Sequence, residues 1–434
     1  MLLDDIMQVI YAPKKAFKSI ASNPKYLGAL IILLLFVGIQ IGYEYVQFSK
    51  TYTEQTSPVI YFNGPTLVDE LPNFINAANW TCSTNVNLTN NANDPFNYSV
   101  YLAGFGVPPT LPEGYYSLFG NSSLQLEANN TDSVIAALGD TNNVDCSASG
   151  FQNLSLTVKQ VSPQTVPLKA TVTLYSLGDT NYYTYDLTTQ LSNQSTLNQW
   201  NNLTITVGPN SQGWTESGNP TWSNITSLVL NFNYPAGSNV TLRIGALYFH
   251  GLYLTPVSYG SLGLVIQFLQ VFPLQFIFGW FIFTALIYGF CRGLKTPVLW
   301  KPLFILLGFA MMAMVVRAIV NLVGALILQS AYYPFDLSMG VRFDPFAALY
   351  FPPEAVNALA PTSQALFTNI DSATSIFRGI VTVMAFVSYF WLGALGALSL
   401  GELRPEFSMQ KRIVFSAASL ALTVLILLFL VGIV

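Results

Sequence analysis

Five stretches of this 434-residue sequence are long, apolar and nearly free of charge. An apolar helix of about 20 residues crosses the hydrocarbon core of a bilayer. Only 9% of the residues are charged, against about 25% in soluble domains, so lipid is the simplest cover for the apolar surface. We predict an α-helical transmembrane bundle of five spans, near residues 26–48, 262–291, 302–330, 375–401 and 413–434.

The basic residues beside these spans predict their orientation, because cytoplasmic loops carry an excess of Lys and Arg. Such groups precede the first span, join the second to the third, and join the fourth to the fifth. They are Lys14, Lys15, Lys18 and Lys25, then Arg292, Lys295 and Lys301, then Arg404, Lys411 and Arg412. We expect a multi-pass protein of the cell membrane with a cytoplasmic N-terminus. Its large inserted segment and its C-terminus would then be extracytoplasmic.

Ten Asn-x-Ser/Thr sequons fall between the first two spans and none elsewhere. Such sequons accept N-linked glycans in exposed extracytoplasmic segments. This segment is rich in Asn, Ser and Thr, which raises the number of chance matches, yet sequons and charge bias indicate the same side. The predicted glycosylation sites are Asn79, Asn87, Asn97, Asn121, Asn129, Asn153, Asn193, Asn202, Asn224 and Asn239.

The inserted segment, residues 51–255, differs in composition from the membrane domain, residues 257–434. Apolar and polar residues alternate in short runs, a period typical of half-buried strands. Turn clusters separate the runs. We predict an all-β jelly roll or sandwich. Its clearest strands are Leu154–Val158, Ala170–Tyr175, Leu203–Val207 and Leu228–Tyr234.

The three cysteines form no CxxC pair. Cys82 and Cys146 both lie in the inserted segment, where an oxidising exterior favours a disulfide. The bond would close a loop of about 65 residues and add a few kcal/mol of stability. The alternative is two free, buried thiols. Cys291, at the cytoplasmic edge of the second span, should stay reduced.

Few residues could support catalysis. His250 is the only histidine, which argues against His-ligated metals and Ser-His nucleophiles, and we interpret it as a structural or junction residue. A glycosidase needs paired carboxylates, and Asp140 and Asp145 lack a supporting context. No P-loop or HExxH motif is present, and the net charge of −4 leaves no basic surface for nucleic acid. We predict no enzyme activity, no cofactor and no metal site.

The second half of the inserted segment resembles the galactose-binding-like jelly roll of many carbohydrate-binding modules. The stretches that carry the resemblance are Tyr183–Leu187, Trp200–Val207, Trp222–Phe232 and Thr241–Phe249. In that family the last strand often holds an Asp where this chain has Gly245, so no calcium-linked role at that end carries over. Trp200, Trp214 and Trp222 would either form a stacking platform for a glycan or fill the core of the sandwich.

The first 25 residues are amphipathic. Ile6 and Ile10 share one helical face, and Pro13 suits the first turn of a second helix. The apolar face of that second helix holds Phe17 and Ile20. We predict two helices at the cytoplasmic membrane interface.

The same region contains the pattern Pro-Lys-x-Ala-Phe-x-x-Ile-x-x-Asn-Pro, which resembles the prokaryotic branch of the Yip (Ypt/Rab-interacting protein) membrane family. Further matching stretches are Phe278–Ile287, Leu306–Ala310, Trp391–Leu395 and Phe407–Arg412. The resemblance implies five spans, a cytoplasmic N-terminus and an exterior C-terminus. This chain departs from the family in its large insertion and in the reduced glycine-rich element Gly293–Pro297. Small GTPases, which eukaryotic relatives engage, are not implied as partners of a prokaryotic chain.

Two arginines lie in or beside the spans: Arg317 inside the third, and Arg378 at the outer start of the fourth. Intramembrane charges are usually paired or functional. We weigh structural pairing or a water-filled cleft against an ion or lipid-head-group site. The candidate partners, in the outer loop 331–374, are Asp336, Asp344 and Asp371.

Two functions follow from these patterns. The first is a non-enzymatic surface protein whose Yip-like core displays the β-domain for contacts with envelope proteins or surface glycans, or for assembly of a membrane complex. The alternative is a transporter or lipid-handling protein with an accessory ectodomain. A surface of amides and hydroxyls changes little in charge as pH falls. The composition therefore suits an acidic, hot exterior and looks like that of archaeal surface proteins.

Overall fold

The computed structural model describes residues 2–59, 73–96, 99–101, 115–117, 122–192, 197–335 and 361–431. Its helices are α1 (Leu2–Tyr11), α2 (Pro13–Ser22), α3 (Tyr26–Lys50), α4 (Thr188–Leu191), α5 (Pro256–Gly293), α6 (Trp300–Ala310), α7 (Met312–Ile327), α8 (Pro361–Leu403) and α9 (Met409–Val431). Its strands are β1 (Thr51–Ser57), β2 (Trp80–Cys82), β3 (Val86–Asn91), β4 (Ser99–Tyr101), β5 (Tyr115–Ser117), β6 (Ser123–Leu138), β7 (Asn153–Ser162), β8 (Lys169–Tyr175), β9 (Tyr182–Asp186), β10 (Asn201–Thr206), β11 (Trp214–Ser217), β12 (Ser227–Leu254) and β13 (Ala331–Tyr333).

Within the ranges just given, five helical segments are long and apolar enough to cross a membrane, as the charge-free stretches predict, and the chain is a membrane protein. Each overlaps a predicted span. The third consists of α6 and α7, which meet at Met311, and α5 leaves helical geometry at Gly260. The five segments are Tyr26–Lys50, Val265–Gly293, Trp300–Ile327, Gln364–Leu403 and Met409–Phe429.

The two N-terminal helices pack against the bundle. Val9 of α1 and Phe17 of α2 are fully buried, at 0% exposure, in the same core as residues of α3, α5, α6 and α8. The apolar face predicted to meet lipid therefore meets protein along α2, whereas Leu3 and Met7 of α1 stay exposed.

The stretches that resemble the Yip family meet in this core. Trp280 of α5 stacks on Phe304 of α6 with ring centroids 4.0 Å apart, and its indole N–H donates to the Phe304 carbonyl at 2.7 Å. Phe309 of α6 and Leu395 of α8 are each 1% exposed. These side chains hold the helices together, so their direct role is packing.

Glycines allow α3 and α6 to approach closely. A Cβ added at Gly28 would overlap the ring of Phe309, and one added at Gly308 would overlap Trp280 and Ala29. Close helix contacts through small residues are typical of membrane bundles.

The β-domain is a sandwich in which two long strands run through both layers. β12 pairs with β8 over residues 227–233 and with β7 over residues 241–250, and β6 follows its other side. The register of β6 against β12 shifts between Asn233 and Val240. One layer is therefore β11-β9-β8-β12-β6-β2 and the other β10-β7-β12-β6-β3. The alternating apolar residues of both layers share one core, so the predicted strands are confirmed.

The predicted disulfide is not present, because Cys82 and Cys146 are both free thiols. Cys82 ends β2, opposite Ala136 of β6, and its Sγ donates to the Val86 carbonyl at 2.9 Å. Cys146 is anchored elsewhere, by its N–H to the Trp222 carbonyl. Burial raises the pKa of the Cys146 thiol, which makes it a poor nucleophile.

Candidate functional site

Three segments that adjoin membrane helices pair with one another in one part of the large sheet, which we call the junction. β1 follows α3 directly, β12 ends just before α5, and β13 follows α7. Thr53 of β1 lies opposite Leu254 of β12 in an antiparallel pair. Thr51 lies opposite Ala331 of β13 in a parallel pair. Backbone hydrogen bonds thus join the β-domain to the ends of three spans.

The carboxylate of Glu54 lies at the centre of the junction, and the side chain is only 5% exposed. Oε1 accepts the N–H of Gly251 at 2.8 Å, and Oε2 accepts the N–H of Phe335 at 3.0 Å. Nδ1 of His250 lies 2.9 Å from Oε1. A buried carboxylate needs such partners because an unpaired buried charge is strongly unfavourable. Glu54 therefore joins β1, β12 and the segment after β13 through one side chain.

His250 extends this network into the sandwich. Its Nε2 lies 3.0 Å from Oγ of Ser155 in β7, and that hydroxyl lies 3.3 Å from Oγ1 of Thr204 in β10. The order Glu54, His250, Ser155 is that of a catalytic triad. Ser155 is only 2% exposed, however, so its hydroxyl is closed off from any substrate. The arrangement can fix the strands in place but cannot present a nucleophile.

Lys50 links the first and third spans beside the junction. Its ammonium group donates to the carbonyls of Ala325, Leu326 and Leu328, at 3.1, 2.6 and 2.6 Å. Carbonyls at the end of a helix lack partners within that helix, and a cation there also interacts favourably with the helix dipole. Lys50 therefore caps α7 from the end of α3.

Three tyrosines surround the same sheet. Tyr52 stacks on Tyr332 with centroids 4.7 Å apart, and Tyr253 meets Tyr332 edge-on at 5.6 Å. Tyrosine is common where a protein passes from lipid to water, because it is apolar along the ring and polar at its tip. The junction therefore has the side chains expected at a membrane surface.

The three tryptophans singled out in the sequence do not form one platform. Trp222 stacks on Tyr183 at 3.8 Å and meets Trp214 edge-on at 5.4 Å. The indole N–H of Trp214 donates to the Thr206 carbonyl at 2.8 Å, which bridges the edges of the two layers. Both rings are half-buried and pack against the sandwich core. Their contacts favour the core-filling alternative.

Trp200 lies apart from this pair. Phe96 meets it edge-on at 5.6 Å, and Nζ of Lys159 lies 5.8 Å from its ring centroid. A Cβ added at Gly245 would overlap both Phe96 and Trp200. Gly245 therefore leaves room for the aromatic side chains that cover the strand there.

An ion-pair cluster lies beside Trp200. Asp94 accepts hydrogen bonds from Lys159, at 2.8 Å, and from Arg243. Burial acts to raise the pKa of Asp94, but the hydrogen bonds and charges of these two bases outweigh it and lower the pKa. The cluster holds the segment that contains Asp94 against β7 and β12.

The sequons within the described residues lie on the β-domain, mostly at exposed positions. Asn153 and Asn224 are half-buried. The exposed ones are Asn79, Asn87, Asn129, Asn202 and Asn239. Asn97, Asn121 and Asn193 lie outside the described residues.

The two membrane arginines differ in their partners. Arg378 forms an ion pair with Asp371 one to two turns earlier in α8, as structural pairing predicts. Arg317 forms no ion pair within the described residues; its guanidinium lies 5.8 Å from the ring centroid of Tyr389. Asp336 and Asp344, the other predicted partners, lie outside the described residues.

Sequence reasoning did not single out Glu54, Ser155 or Lys50. Their partners are far away in the chain, and no local pattern marks a glutamate that will be buried by strands formed much later. His250 does lie at the junction, which agrees with its interpretation from sequence. Within the described ranges no group of three or more His, Cys, Asp or Glu could hold a metal ion.

No protein-family model matches the sequence, and no curated protein matches it. The chain is similar to several solved structures over about two fifths of its length. A family 11 carbohydrate-binding module from Clostridium thermocellum, in complex with a mixed-linked tetrasaccharide, is 12% identical, with a TM-score of 0.25 over 41% of this chain and 92% of the module. An agarase is 8% identical, with a TM-score of 0.25 over 40% of this chain and 24% of the enzyme. Such distant likenesses assign neither ligand nor activity, and the sandwich is defined by its own strand pairing.

Proposed function

We propose that this is a non-enzymatic surface protein of the cell membrane whose five-span bundle holds a glycosylated β-sandwich in one fixed orientation outside the membrane. The sandwich would contact envelope proteins or surface glycans. The observation that supports this best is the junction. The chain passes between the bundle and the β-domain twice, from α3 to β1 and from β12 to α5, and Glu54 and β13 add tertiary hydrogen bonds to these two connections. A β-domain joined to the bundle by flexible linkers would need no such buried network.

The remaining parts of the proposal follow from the sequence. The basic residues beside the spans favour a cytoplasmic N-terminus and an extracytoplasmic C-terminus. A Yip-like membrane core would supply the five-span framework and its contacts with other membrane proteins. The low charge of the β-domain would keep its surface nearly constant in an acidic exterior.

The test uses the full-length protein embedded in lipid nanodiscs and delipidated envelope fragments from the native cells. We expect the nanodiscs to sediment with the fragments in a saturable way, while empty nanodiscs stay in solution. Periodate treatment of the fragments would abolish retention if the partner is a glycan, and protease treatment would abolish it if the partner is a protein. Absence of saturable retention on untreated fragments would refute the proposal.

A further inference from the structure

A cavity of about 230 Å³ lies where the first span begins. Its walls come from α1, α2, the start of α3, and α6. Two of its lining residues, Ile20 and Phe309, are buried and apolar. A single water needs about 10–15 Å³, so the cavity has room for a much larger polar group. Its polar lining consists of Asp5, Ser19, Asn23 and Lys25.

Two opposite charges line this cavity without pairing. Asp5 lies on α1, and Lys25 directly precedes α3. Neither side chain takes part in an ion pair within the described residues. A ligand that carries both a positive and a negative group would give each of them a complementary partner. The charges of the cavity therefore favour a zwitterionic ligand.

The cavity lies at the level where the first span enters the bilayer. Lys25 is followed by Tyr26, the first residue of α3. Nζ of Lys301, in the first turn of the third span, lies 5.7 Å from the ring centroid of Tyr26. Tyrosine and basic residues are typical of the region of the lipid head groups. A group bound beside Lys25 is therefore at the depth of the lipid phosphates.

An exposed apolar stripe of α3 leads from the cavity toward the middle of the membrane. Leu27 lines the cavity and is 57% exposed. Leu30 and Leu34 follow on the same helical face, at 47% and 70% exposure. From Leu27 to Leu34 the stripe covers about 10 Å. The first span thus offers a polar cavity for a head group and, directly beside it, an apolar surface for hydrocarbon chains.

We propose that this cavity binds the phosphoethanolamine head group of a phospholipid, with the phosphate beside Lys25 and the ammonium on the carboxylate of Asp5. The hydroxyl of Ser19 and the amide of Asn23 can donate to phosphate oxygens. A purely anionic head group would be repelled by Asp5, and the quaternary ammonium of phosphocholine has no N–H to donate to it. The site does not depend on the proposed role of the β-domain.

The experiment uses the full-length protein in nanodiscs that contain phosphatidylethanolamine, phosphatidylcholine and phosphatidylglycerol in equal parts. Native mass spectrometry measures the lipids that stay bound after release from the disc. We expect the wild type to retain phosphatidylethanolamine above its share of the mixture. Asp5→Asn removes the partner of the ammonium, and Lys25→Gln removes the partner of the phosphate. Ion pairs at exposed sites are weak, so each variant should lose roughly threefold of this enrichment.

Two neighbouring residues provide matched controls with the same changes of charge. Asp4→Asn alters an exposed carboxylate of α1 that accepts a hydrogen bond from Gln8 at 2.7 Å, and Lys18→Gln alters an exposed ammonium of α2. Neither residue lines the cavity, so both variants should keep the enrichment of the wild type. Equal enrichment in the wild type, Asp5→Asn and Lys25→Gln, or no enrichment in the wild type, would overturn the proposal. If Asp5→Asn fails to fold, Lys25→Gln, at an exposed position, decides alone.

A second arm separates the lipid from a soluble ligand with the same head group. In discs of phosphatidylcholine alone, free phosphoethanolamine should leave the melting temperature of the wild type unchanged, because it lacks the chains that the leucine stripe would contact. A rise in the wild type that is absent in Asp5→Asn and Lys25→Gln would overturn the lipid as the ligand and assign the cavity to a soluble zwitterion.

Discussion

Oε1 of Glu54 lies 2.9 Å from Nδ1 of His250, and this pair connects the strand that leaves the first span with the strand that enters the second. The same carboxylate also accepts the N–H of Phe335, which follows the third span. Local stability at this point therefore depends on contacts between parts of the chain that are distant in sequence.

Replacing Glu54 with Ala should destabilise the junction, because the N–H groups of Gly251 and Phe335 would lose their acceptor. Each buried donor left without a partner costs about 1–3 kcal/mol, so we expect a loss of roughly 3 kcal/mol in the free energy of unfolding. Hydrogen exchange should accelerate at residues 331–335. Asp132→Ala, at an exposed site of β6, should change stability by less than about 0.5 kcal/mol. Unchanged exchange at residues 331–335 in Glu54→Ala would contradict the role of this carboxylate.

Gly28→Ala should weaken the membrane bundle. The new methyl group would overlap the ring of Phe309, and overpacking of this kind costs about 1–3 kcal/mol. Gly38→Ala is the matched control on the same helix, because nothing lies within 4 Å of its added Cβ. Thermal unfolding in detergent should separate the two variants, with Gly28→Ala melting earlier. Equal melting temperatures would show that α3 and α6 are farther apart than described.

Asp94→Asn should lower the stability of the β-domain at pH 7 and lose this effect in acid. The folded-state pKa of Asp94 is below its ordinary value, so the stability it contributes is complete above the unfolded pKa of about 3.9. That contribution is lost as pH falls through the lowered folded pKa. Tryptophan fluorescence during denaturation should show the difference from wild type shrinking below about pH 4. A difference that stays constant to pH 2 would exclude an ionised Asp94 as its cause.

Glycan occupancy should follow exposure if the β-domain is extracytoplasmic. We expect glycans at Asn129, Asn202 and Asn239, which are exposed, and lower occupancy at Asn153, which is half-buried. Mass spectrometry of glycopeptides from protein made in its native cells measures each site. Protein without a glycan at any of these positions would argue against the predicted orientation.

Much of this architecture could be predicted because it depends on local patterns. Long charge-free runs predict the spans, and period-two alternation predicts β7, β8 and β10. The course of β12 through two layers could not be predicted, since its turn from β8 to β7 depends on partners chosen in the fold. The cysteine pair shows the same limit: Cys82 and Cys146 share a compartment in the prediction. In the fold Cys82 pairs with Ala136 of β6, whereas Cys146, between β6 and β7, bonds to the Trp222 carbonyl.

The site residues divide in the same way. Arg317 is visible in sequence because a charge interrupts an apolar run. Glu54 is not, because an isolated glutamate in a polar strand is ordinary until residues 250, 251 and 335 surround it. A side chain that differs from its neighbours in sequence, such as a charge in an apolar run, can be singled out from sequence. A side chain whose role depends on residues distant in sequence can be recognised only from the folded structure.

The parallel pairing of β13 with β1 has a consequence for the order of synthesis. β1 is made directly after the first span, but β13 exists only once the third span has left the ribosome. During translation the sheet beside the membrane therefore keeps one open edge until the chain has passed residue 333. The sandwich can assemble most of its core earlier, yet the junction is complete only after two further spans, α5 and then α6 with α7, have been made.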